Sequence, residues 1–396
     1  MISGGYKHNI IRLYALKISH WFMLIMPIVV LFYQKNGLSI REVFILQSIY
    51  SVAIVALEIP SGYLADAIGR KKTIIIGAVL GFLGFATYSV GVGFITFMIA
   101  EIILGIGQSM ISGADSALLY DTLIEAQRQD EYLKIEGRMI SAGNFSEAVA
   151  GVLGGLLAAV NIRYPYYGQT LVALVAIPAA ITLVEPAVSE SKLGVGWKQI
   201  LGVVHYSLIQ NRRLRWNIIF SSVVGASTLT MAWFVQPWLM RTNVQVEAFG
   251  IIWTVLNLLV GISAMLAYKL ELKMGRFFTI AVTSIMLAIG FFTSAYIYHL
   301  WGLLVFSMFY IARGIATPVL KDGINRISPS HIRATILSVR NFVIRIIFSI
   351  WGPFYGWISE QYSLACALLW AGAIFTVLTF IGFFFLRNAE LRSSNN

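Results

Sequence analysis

The chain has 396 residues, of which 58% are hydrophobic and 12% charged, with a mean hydropathy of +0.78. Too few polar side chains are present to cover a soluble surface, so a soluble enzyme or soluble binding module is excluded and a membrane protein is implied. The net charge of +11 is spread loop by loop rather than gathered in a patch, which argues against nucleic acid as a partner and for the lipid bilayer.

A hydrocarbon core about 30 Å thick takes about 20 apolar residues per helix. On that ruler twelve spans are predicted, near 9–33, 41–64, 73–91, 94–124, 138–161, 166–184, 215–240, 249–268, 277–298, 301–325, 334–359 and 364–386. The first run is too long and too polar for a cleavable signal peptide. The single cysteine, Cys366, falls inside the last span, so no intramolecular disulfide is expected. With both termini on the cytoplasmic side, only Lys35, Arg41, Arg163 and Arg241 of the 29 Lys and Arg lie near outer loops. That is the positive-inside asymmetry, and it requires an even number of spans.

In chain order, span 1 carries Lys17 and His20, and span 2 carries Glu58. A charged turn, GYLADAIGRKK at Gly62–Lys72, then separates spans 2 and 3. Gly62 is expected to let two helices approach closely, Gly69 to allow a tight turn, and Asp66 to cap a neighbouring helix. This stretch resembles the G-x-L-A-D-x-x-G-R-K/R loop of the major facilitator superfamily. The resemblance implies a transporter working by alternating access, in which Asp66, Arg70 and Asp121 form a gating cluster and Asp66 faces the start of span 11. A static ion pair that only fixes topology is the other reading.

Span 4 places Glu101, Gln108 and Asp115 at seven-residue intervals, which on one continuous helix puts all three on one face. Family antiporters carry an arginine in an R-x-x-x-G pattern where this chain reads Glu101-x-x-x-Gly105. An acidic residue can carry a proton, and arginine cannot be deprotonated. Glu101 is therefore a proton-coupling candidate, unless it is solvated at the outer interface; Asp115 on the same span is another, and Glu58 a further one. Span 5 matches the family's antiporter motif in degraded form: Gly137, Gly154 and Gly155 fit, while Ser146 and Ala150-Gly151 do not. Glu147 on this span is a further coupling candidate, or a partner for Lys17 or Arg138. His20 can titrate near neutral pH, or make a simple polar contact.

A polar stretch, 185–214, divides the chain. Trp197, Ile200, Leu201, Val204 and Leu208 form an apolar stripe there, read as a helix on the membrane surface. In the second half the buried charges become positive. Arg313 on span 10 and Arg345 with Asn341 on span 11 are candidates for binding a carboxylate or phosphate; alternatively they pair with Glu58, Asp115 or Glu147. Lys17, Gln108, Asn257, Trp233 and Gln236 complete the candidate solute contacts, and Trp238 is assigned to anchoring instead.

Spans 3, 6, 9 and 12 lack Asp, Glu, Lys and Arg in their apolar stretches, so every third helix is suited to face lipid. Asp121 recurs as Asp322 at an offset of 201, and Arg138 as Arg340 at 202. The predicted fold is therefore an all-α polytopic membrane protein of twelve transmembrane helices: a six-helix bundle at 1–184, a linker at 185–214 and a second bundle at 215–396. The resemblance is to bacterial drug and metabolite exporters, which implies a monomer in the inner membrane that exchanges a small solute for protons and needs no cofactor beyond the proton gradient. A symporter or facilitator of the same fold is the alternative, and a non-transporting sensor or scaffold the alternative of another class. A membrane enzyme would need a paired nucleophile and base or metal ligands, and the five scattered histidines and one cysteine supply neither.

Overall fold

The computed structural model describes residues 5–186, 197–329 and 332–394, and outside short turns nearly all of them are helical. Among the described residues, ten helical segments are long and apolar enough to cross a membrane. The expected twelve are consistent with this once two weaker segments are added. The first is broken: α1 (Gly5–Trp21) ends in a turn and restarts as α2 (Val29–Lys35). The other, α8 (Tyr164–Ile181), carries Tyr164, Tyr166, Tyr167 and Gln169 at its start, which dilutes its apolar character.

The remaining elements are α3 (Ile40–Ile68), α4 (Arg70–Val90), α5 (Gly93–Ile111), α6 (Ala114–Glu125) and α7 (Tyr132–Val160), then after the linker α9 (Trp197–His205), α10 (Arg212–Met240), α11 (Val246–Met274), α12 (Arg276–Ser294), α13 (Gly302–Ile327), α14 (Arg333–Gln361) and α15 (Leu364–Ser394). Predicted span 4 is two helices. Gly113 adopts φ +84°, a conformation that ends α5 and restarts the chain as α6.

The chain forms two compact units. One holds 1–37, 49–196 and 246–254; the other holds 38–48, 197–245 and 255–396. In the first, α1 packs on α7 and α8, and α4 packs on α5 and α8. In the second, α10 packs on α14 and α15, and α12 packs on α13 and α15. The two sets of neighbours correspond helix for helix at six-span spacing, as an internal duplication requires. The first unit's core gathers Leu13, Leu16, Ile74, Leu118, Leu123 and Met139. Linker residues 187–196 lie outside the described residues; α9 follows them and sets Val203 against Leu214, Ile218, Ile324 and Ile336 in the second unit.

Among the described residues, a Cβ built on Gly62 meets nothing within 4 Å, so no close helix approach is described there. Gly69 does make the turn, with φ +98°.

Candidate functional site

Among the described residues of the first unit, three groupings of charge draw on more than one helix. On α1, Lys17 Nζ lies 2.9 Å from Asp115 Oδ2 and 3.9 Å from Glu136 Oε1, with all three side chains about one-sixth exposed or less. Glu136 Oε1 also accepts from Ser116 Oγ at 2.9 Å, while its Oε2 is buried without a hydrogen-bond partner among the described residues. His20, three residues further along α1, is half-buried. One lysine faces two carboxylates, so with all three ionised these side chains carry a net charge of −1. Binding one proton brings it to zero.

Glu101 occupies a different place. It is 4% exposed, and its Oε1 accepts from Tyr33 Oη at 2.7 Å. Tyr33 Oη in turn meets Tyr88 Oη at 2.8 Å, and Tyr88 reaches the Phe97 carbonyl at 3.4 Å. Tyr166, Phe97 and Phe32 pack around these rings. Arg163 covers one side, 5.5 Å over the Phe32 ring, and donates to the Ser89 and Gly91 carbonyls and to Asn36 Oδ1. The expected polar stripe of Glu101, Gln108 and Asp115 is therefore not formed. The seven-residue register stops at Gly113, which sends Asp115 to Lys17 and leaves Glu101 with the tyrosines.

The third place is the turn between α3 and α4. Arg70 pairs with Asp121 and donates to the Ala117 carbonyl at 2.7 Å. Glu185 accepts from the backbone N–H groups of Arg70 and Lys71 at 2.9 and 2.6 Å, closing the start of α4, where unpaired amides favour an anion. Asn9 fixes the neighbouring strand of chain by bonding both backbone groups of Val184 at 2.8 Å. The Asp66 side chain lies outside the described residues.

The second unit repeats this clamp with other residues. Glu390 binds Arg213 at 2.6 Å and Arg276 at 3.3 Å, and Asn217 joins both Glu390 and Arg276. Deeper in α14, Arg340 is 5% exposed. Of the named solute contacts, Arg313 and Asn341 are exposed, Arg345, Trp233, Asn257 and Gln108 are half-buried, and Gln236 is 2% exposed. Glu58 and Glu147 are half-buried. Trp238 is fully buried and donates to the Ser294 carbonyl at 3.1 Å, a packing role.

Lys17, expected to contact solute, pairs with Asp115 and Glu136. Glu136, Glu185, Glu390, Arg340 and the tyrosines were not among the sequence candidates. Glu136 was findable: it lies eleven residues, about three turns, before Glu147 on one helix face. Among the described residues no three His, Cys, Asp or Glu side chains converge as metal ligands.

A helix-rich membrane protein with a repeated six-helix pattern and these buried ion clusters has the build of a membrane transporter. The Major Facilitator Superfamily profile matches residues 20–353, and the chain belongs to that family. It is similar to the quinolone resistance protein NorA of Staphylococcus aureus, 24% identical over 161 residues, a match spanning 41% of this chain and 40% of that relative's length. A Methanocaldococcus jannaschii MFS-type transporter, itself uncharacterised, is 22% identical over 68% of this chain and 67% of its own. Among solved structures, the nucleoside transporter NupG superposes with a TM-score of 0.78 at 14% identity, covering 98% of this chain and 99% of that one. A D-xylose-proton symporter gives 0.71 at 15% identity, covering 96% of each. The fold is that of transporters, which are not enzymes, and the protein is integral to a membrane.

Proposed function

We propose that the chain exports a small organic solute, anionic or zwitterionic, by alternating access coupled to proton entry. It acts as a monomer in the inner membrane with both termini cytoplasmic. The observation that carries the coupling is the Lys17–Asp115–Glu136 cluster, whose charge of −1 becomes zero on taking up one proton. A charge inside the membrane costs from about 3 kcal/mol upward, so the neutral cluster tolerates a closed, dry state that the charged one resists. Protonation is then linked to which side is open. Arg70, Asp121 and Glu185 act as a lock on one state, with Gly69 and Asp66 in the same turn.

Likeness over part of the chain to a resistance protein favours export of a drug or metabolite. Likeness in fold to a proton symporter supports the second reading, proton-driven import. Proteoliposomes with an imposed pH gradient separate them. Accumulation of solute with the interior acid means antiport, accumulation with the exterior acid means symport, and equal entry under both means a facilitator.

A further inference from the structure

Arg340 is a buried cation without a buried anion. It is 5% exposed, two turns into α14, and faces α10. Its Nε donates to Ser221 Oγ and its Nη1 to Asn341 Oδ1 at 3.2 Å, both neutral acceptors. Ser222 Oγ donates to the Arg340 carbonyl at 3.1 Å, which fixes the backbone. Gly225 makes room for Ile344, one turn beyond Arg340: a Cβ there would sit 2.6 Å from Ile344 Cδ1, while Nη2 would be in ordinary contact at 3.7 Å. Among the described residues no carboxylate lies within ion-pair distance of Arg340, and its Nη2 has no hydrogen-bond partner. Arg276 in the same unit shows the ordinary solution, with Glu390 at 3.3 Å.

A guanidinium offers five N–H donors in a planar fork, and two of Arg340's are used. The unused edge matches the paired oxygens of a carboxylate or phosphate. Burying a charge without a counter-charge is costly, and a structure that keeps one there is poised for a ligand that supplies it.

We propose that Arg340 is the seat for the anionic group, a carboxylate or phosphate, of the transported solute. This rests on reading the chain as a transporter of an organic anion. Arg313 and Arg345, the sequence candidates, would then lie along the solute's approach or its remainder.

The test uses the full chain, purified and reconstituted in nanodiscs. Binding of succinate, glycerol 3-phosphate and inorganic phosphate is measured by calorimetry, with tetramethylammonium as the cation control, and counterflow of whichever anion binds follows in proteoliposomes. Wild type should bind at least one anion. Arg340→Gln should weaken that binding roughly 30-fold or more and remove counterflow, while Arg340→Lys keeps part of it. Arg326→Gln, at an exposed arginine paired with Asp322, should bind as wild type. If Arg340→Gln fails to fold, Arg340→Lys and Ser221→Ala carry the comparison, each with a partial loss expected.

Anion binding unchanged in Arg340→Gln or in both fallback variants overturns the seat. So does lost binding with normal anion counterflow, in which case the anionic-solute reading stands without it. Should wild type ignore every anion yet carry a neutral or cationic solute, the solute reading falls and the seat falls with it. A wild type stabilised only by phosphatidylglycerol discs over phosphatidylcholine discs, in an Arg340-dependent way, assigns the guanidinium to a lipid headgroup and also overturns the proposal.

Discussion

A tyrosine hydroxyl both donates and accepts, and that property lets Tyr33 serve Glu101 in either charge state. With the carboxyl ionised, the bonds run from Tyr88 to Tyr33 to Glu101. With it protonated, they run from Glu101 to Tyr33 to Tyr88 and end on the Phe97 carbonyl. Phenylalanine at 33 breaks both directions. Tyr33→Phe should lose about 1–3 kcal/mol of unfolding stability, measured by chemical denaturation in detergent, whereas Glu101→Gln should be nearly neutral because an amide also donates and accepts. A Tyr33→Phe variant as stable as wild type would show that the chain of bonds contributes nothing. The depth of Glu101 was legible from its place in an apolar run. Its partners were not, because they come from three other helices, and nothing in the sequence says which of 18 tyrosines converge.

At the scale of elements, two helix ends are closed by acids that arrive from far along the chain. Glu185 closes the start of α4, and Glu390 holds Arg276 at the start of α12. Removing Glu390 strands two arginines, one of them only 18% exposed, whereas removing Glu185 frees two backbone amides. Glu390→Ala should therefore cost more than Glu185→Ala, about 2–3 against about 1 kcal/mol, by thermal unfolding of the purified chain; the reverse order would sink this account of the clamps. The glycines of the same turn divide as well. Gly69→Ala adds a Cβ at φ +98° and 3.2 Å from Glu185 Oε2, a strain of about 1–2 kcal/mol, while Gly62→Ala sits in a helix facing open space and should gain up to about 1 kcal/mol. The Gly-Arg turn and Asp121 were readable because motif and spacing are local. Glu185 and Glu390 were not, since each lies more than a hundred residues from the amides or guanidinium it meets. The break of span 4 at Gly113 was missed for a physical reason: hydropathy continues across a kink that only the backbone angle reveals.

Across the whole molecule, the duplication was visible in offsets of about 200 residues and reappears in matching helix neighbours, yet the charges are not duplicated. The first unit carries excess acid around Lys17 and the second a buried base at Arg340. Such a division suits a carrier that exchanges protons on one unit and holds an anion on the other. Three of the carboxyls in the running for the coupling role have described partners: Asp115 and Glu136, which share Lys17, and Glu101 in its tyrosine box. A cluster of charge −1 that neutralises with one proton should lose its coupling when either acid is made permanently neutral, because Lys17 is then matched by the remaining one. Asp115→Asn and Glu136→Gln are each expected to abolish accumulation driven by a pH gradient while sparing exchange of solute for solute, and Lys17→Gln is expected to impair both, since it leaves two carboxylates together in a dry setting. Glu101→Gln should retain accumulation if the lysine cluster alone carries the proton. If Asp115→Asn and Glu136→Gln still concentrate solute with normal pH dependence and Glu101→Gln does not, the proton travels through the tyrosine box instead.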